Sequence, residues 1–268
     1  KLDYQLMGRA QRIIGHSEAR NVAIQAAGRT VDVVVDPAID KAIGSEMGDM
    51  MASALGNCIA ARSGINGGRL SPKIVVVMRR RSGAMMEHDT DRFAFGNNQR
   101  DNVISVNRAF FDALDAASSR AGLDSQQRAT FTGLMLETFL SHEMRHEAGF
   151  RNTASDERAL SVEDVATFIK ATAGRADTQI LRQAVSEMLN DTGFSAQDSM
   201  LRNSYNAITA NGTLVRAIEN RNISINAEDG NATATVSVGQ VRDTGTFVET
   251  ADAMARLGVA TKGVVGKG

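Results

Sequence analysis

The chain has 268 residues, 43% of them hydrophobic, which suits one large domain or a main domain with an appendage. Its 30 Lys and Arg balance 31 Asp and Glu to a formal net charge of −1, so no global field draws it to nucleic acid or membrane. Aromatic residues at 4%, with no Trp, argue against base-stacking or sugar-stacking surfaces, and the single cysteine, Cys58, rules out an internal disulfide. The lack of disulfides is compatible with the cytoplasm but assigns no compartment. No apolar run has membrane-spanning length and no signal peptide is visible.

Residues 1–29 read as mixed and partly helical. Residues 30–36 are β-branched and read as a strand that Pro37 ends. Helical periodicity through Ile39, Ile43, Met47, Met50, Met51, Leu55 and Ile59 predicts one long helix over 38–62, with Cys58 as a small buried hydrophobe. A glycine-rich turn follows, then an almost wholly apolar stretch at 73–78 that predicts a central strand. Arg79, Arg80 and Arg81 read as a solvated loop, with contact to an acidic substrate as the alternative. Residues 82–91 read as a loop holding His88 and Asp89. Residues 92–95 and 102–107 read as a hairpin around the turn-rich 96–101. A helix is predicted over 108–121, and another from Asp124 or Ser125, as N-cap, up to Gly149.

That second helix carries His142-Glu143-Met144-Arg145-His146, which uses two of the chain's four histidines. Residues at i and i+4 lie on one helix face, so both imidazoles can bind one zinc ion, while Glu143 can reach the water such an ion activates. Phe131, Leu134, Met135, Thr138 and Phe139 follow helical spacing, and the two histidines continue that stripe toward the interior. Without a metal, two interior imidazoles and a carboxylate would each need a hydrogen-bond partner.

Beyond the motif, a turn at 149–155 precedes helices predicted over 157–173, 176–190 and 196–219. From Asn222 the residues alternate as strands. A main domain over 1–219 and a β-rich appendage or tail over 220–268 are expected. The fold class is α+β: a small mixed β-sheet packed on helices, an HExxH helix, a helical C-terminal half and the β-rich appendage.

A catalytic zinc takes three protein ligands. Ser161 with Asp164 resembles a capping box, which would put Glu163 in the first turn of a helix. The motif and the element order resemble the zincin metallopeptidases. In the metzincin pattern Gly149 falls in place, but the ligand position holds Asn152, a weak neutral donor. The segment 161–168 is similar to the second motif of gluzincins, in particular of the small ImmA-type peptidases, and implies Glu163 as third ligand. Glu157 is the next candidate, His88 a remote one, and Asp164 a residue that would orient an imidazole. The resemblance covers residues 30–173 and is sharp at 142–146 and 161–168.

The resemblance also implies an oxyanion donor, for which Tyr205, Arg145 and Arg151 are candidates. It implies too that an edge strand pairs with an extended substrate, here 92–95 or its hairpin partner. The expected function is a zinc-dependent metalloprotease acting on a protein or peptide substrate, with no nucleic-acid or membrane partner and no assigned oligomeric state. The alternative is a structural or interaction protein on the same scaffold with little or no activity. Hydrolysis of a non-peptide amide would use the same metal site.

Overall fold

Runs of β-branched residues make the centre of a five-stranded mixed sheet, where branched side chains pack well on the pleated surface. The computed structural model describes residues 9–10, 12–26, 29–62, 73–79, 84–90, 102–147, 154–191, 199–220, 223–227 and 234–238. Strands β1 (Arg20–Ala26), β2 (Arg29–Val35), β3 (Lys73–Arg79), β4 (Met86–Thr90) and β5 (Asn102–Asn107) lie in the order β1-β2-β3-β5-β4. β2, β3 and β5 are parallel, while β1 and β4 pair antiparallel at the two edges. All five residues from Ile74 to Met78 are buried, as a strand covered on both faces requires. Ala10 and Ile13 cover part of one face, packing with Val34, Val75, Val77 and Val103.

The parallel step from β2 to β3 needs a crossover. Helices α1 (Pro37–Ile43) and α2 (Ser45–Arg62) provide it. The single helix expected over 38–62 is therefore two, because Gly44 breaks it at φ 95° and ψ 157°, a conformation that residues with a Cβ seldom adopt. Asp36 joins strand to helix. One of its carboxylate oxygens accepts the Ala38 N–H at 2.9 Å, capping α1 ahead of Pro37. The other accepts the Met78 N–H and the Arg9 guanidinium, both at 3.0 Å.

The antiparallel partner of β5 is β4, in a stretch expected to be loop. Residues 92–95 lie outside the described residues. Met85 and Met86 are buried and anchor the start of β4. Arg79 ties it down from β3, donating to the Ala84 carbonyl and pairing with Glu87 at 2.9 Å. Arg79 is thus not a solvated loop residue: its side chain is 11% exposed at the end of the central strand.

The helices that follow are α3 (Arg108–Arg120), α4 (Ser125–Glu147), α5 (Ala154–Thr172), α6 (Thr178–Leu189), α7 (Ser199–Thr209) and α8 (Gly212–Glu219). The helix expected over 196–219 is split because Asn211 starts a new one, its side chain accepting the Leu214 N–H at 3.1 Å. Arg182 of α6 donates to Thr172 Oγ1 and to the Ile169 carbonyl, both at 3.1 Å, and pairs with Glu219 at 2.6 Å. It thereby satisfies carbonyl and hydroxyl groups at the C-terminal end of α5. Strands β6 (Ile223–Ala227) and β7 (Ala234–Val238) form an antiparallel hairpin.

The architecture is α+β. The chain divides into two compact units, residues 1–115 with 132–148 and residues 116–131 with 149–268. The first contains the five-stranded sheet and the C-terminal part of α4. The second contains α5 to α8 and the β6–β7 hairpin, which packs on α5. Among the described residues, no helix is long and apolar enough to cross a membrane.

Candidate metal centre

Helix α4 begins with a reciprocal cap. The Asp124 carboxylate accepts the Gln127 N–H at 2.8 Å, and the Gln127 side chain accepts the Asp124 N–H at 3.0 Å. Phe131, Met135, Leu136, Phe139, Leu140 and Met144 are buried along its length. The Phe139 ring meets Phe110 edge-on at 5.1 Å between centroids, a favoured aromatic arrangement. Asn57 of α2 donates to the Glu137 carboxylate at 2.8 Å, and the Cys58 thiol donates to the Glu137 carbonyl at 3.5 Å. Packing and these ties fix the helix one turn before its motif. Cys58 is buried, as the sequence predicts for a small hydrophobe.

His142 and His146 lie one turn apart with ring centroids 5.1 Å from each other and an interplanar angle of 72°. Both are half-buried, and Glu143 beside them is 6% exposed. One ligand atom from each of His142, His146 and Glu157 lies within 4.8 Å of the others. Two imidazole nitrogens and one carboxylate oxygen are donors that could hold a metal ion.

The other predicted site residues lie on the following elements. α5 starts at Ala154, not at Ser161, so Ser161 and Asp164 are mid-helix side chains buried to 2% and 6% exposure and form no capping box. Glu163 is likewise mid-helix and is not in the convergent group. His88 sits on β4 opposite Ile104 and is also not in that group. Arg145 is buried on α4. Asn152, Gly149 and Arg151 lie outside the described residues. The start of α5 has a signal in the sequence, since Ala154-Ser155-Asp156-Glu157 has the small, polar and acidic character of a helix N-terminus.

Tyr205 is on α7. Its hydroxyl donates to the Arg182 carbonyl at 2.9 Å and its ring lies edge-on to Phe168 at 6.1 Å. Its proton is thereby committed to a backbone carbonyl of the fold. Burial pushes its pKa up to about 12, with the Arg182 charge opposing the shift. The folded chain therefore holds this proton more tightly than the unfolded one. The associated stability, on the order of 2–3 kcal/mol, is present below the ordinary tyrosine pKa near 10 and is lost as pH rises through about 12. The tyrosinate absorbance lost in Tyr205→Phe should titrate near 12 in the parent chain. A difference curve centred near 10 would contradict the burial described.

No protein-family model, curated protein or solved structure matches this chain.

Proposed function

We propose that the chain is a zinc-dependent peptidase in which His142, His146 and a carboxylate of α5 hold the ion and Glu143 is the general base. The observation that carries this reading is an HExxH helix whose two imidazoles lie one turn apart on one face, with ring centroids 5.1 Å from each other. Bound zinc polarises a carbonyl and acidifies water. Glu143 follows His142 directly, so it projects about 100° around the helix from that side chain and would act beside the ion as a base, not as a ligand. There it takes the proton of the attacking water as the new C–O bond forms. It then hands that proton to the amine as the C–N bond breaks.

A peptide substrate is favoured by the sheet. Among the described residues β4 is its terminal strand, in the same unit as His142 and His146, and an extended chain adds to such an edge through main-chain hydrogen bonds. The test is Glu143→Gln assayed against a peptide library. The peptidase reading expects cleavage to vanish with the metal retained. A scaffold protein without activity would show no cleavage in the parent chain to lose.

A further inference from the structure

We infer that strand β1 pairs with the β1 of a second copy of this chain, antiparallel, about a two-fold axis at Ala23. Among the described residues β1 is the terminal strand of the sheet at the end opposite β4. It pairs with β2 in continuous register, so alternate residues turn their N–H and C=O groups away from β2. Asn21, Val22, Ala23 and Gln25 are exposed, and Val22 is the one exposed large hydrophobic side chain among the described residues. Edge strands are commonly guarded by Lys, Pro, a bulge or a short length. β1 runs seven residues with none of these, and its one charge, Arg20, is held by Asp40 and Asp49 of its own chain.

The strand is self-complementary. Turning Arg20–Ala26 about Ala23 sets Asn21 opposite Gln25, Val22 opposite Ile24 and Ala23 opposite its own copy. Amide meets amide, aliphatic meets aliphatic, and no like charges oppose each other. Asn21 and Gln25 each donate one hydrogen bond within their own chain, to the Ala19 carbonyl and Thr30, and keep a second N–H and the amide oxygen for the other copy. In the β1–β2 register Val22 and Ile24 lie beside Val33 and Val31, both buried, so the new Val22–Ile24 contacts continue that apolar stripe across the axis. A slip of one residue sets Ile24 against Asn21, or Val22 against Gln25, and loses the match. The interface is isologous and joins two five-stranded sheets into one. It uses residues of the first unit alone.

The experiment is sedimentation velocity of the full chain over micromolar concentrations and above, where the mass should rise from one chain to two. Ala23→Lys and Ala23→Glu change an exposed residue and set like charges opposite each other at the axis. Each should raise the dimer dissociation constant about fivefold. An equimolar mixture of the two sets Lys opposite Glu and should return the constant to the parent value. Backbone amides of residues 21–25 in the parent chain should exchange more slowly with solvent at dimer concentrations than in dilute solution, a readout that stands whether or not a variant folds. A parent chain that stays monomeric across the range overturns the inference. So does a dimer that both variants leave at the parent affinity, or one whose loss in the variants the mixture does not restore, because it then uses another surface or another register.

Discussion

Glu143→Gln is expected to lower peptide hydrolysis by about 10²- to 10⁴-fold, the usual contribution of a positioned general base, while zinc affinity stays at the parent value. Glutamine matches glutamate in shape and keeps a hydrogen-bonding group at a site that is 6% exposed, so the packing around residue 143 survives. What it loses is the ability to accept and return a proton. The metal is expected to be retained because the proposed role of Glu143 is that of base and not of ligand. Peptide hydrolysis and zinc titration on the same preparation check both halves. A variant that still cleaves at the parent rate with zinc bound would remove Glu143 from the chemistry.

The second large effect concerns stability. Asp36→Ala is expected to cost about 4 kcal/mol and to lower the melting temperature by about 10 °C, as followed by calorimetry. The carboxylate is 2% exposed and serves three donors from separate parts of the chain: the Ala38 N–H, the Met78 N–H and Arg9. Alanine leaves a helix uncapped and strands a backbone N–H of the central strand, with each such loss typically worth about 1–3 kcal/mol. Arg9→Ala should cost much less, since the guanidinium is 36% exposed and its removal leaves both backbone bonds in place. Equal melting temperatures for Asp36→Ala and the parent would show that Asp36 is not the junction between β2, β3 and α1.

The elements read correctly from the sequence are those whose burial leaves a pattern. β2 and β3 are β-branched because the sheet covers them, and α4 shows its stripe because one face packs throughout its length. The edge strands leave no such pattern. β1 carries Arg20, Asn21 and Gln25, with Val22 at 37% exposure, and β4 reads Met-Glu-His-Asp-Thr. Their pairing is decided by the neighbouring strand and by Arg79, at a distance in sequence. The helix breaks at Gly44 and Asn211 fall within continuous apolar periodicity, so the pattern runs past residues that act through backbone conformation and capping.

The candidate site divides in the same way. His142, Glu143 and His146 are legible because one helical turn fixes their spacing. The third ligand is not, because no such short spacing ties a later carboxylate to the two imidazoles. Asp164, expected to orient an imidazole, lies buried on the Glu157 side of α5.

The most direct test of the metal centre is elemental analysis of the purified full chain, reconstituted with zinc and then dialysed, beside His146→Ala. About one equivalent of zinc is expected in the parent chain and little in the variant, since removing one of three ligands breaks the set. A parent chain that retains no zinc, or a variant that retains as much as the parent, would contradict it and return His142 and His146 to the packing of α4.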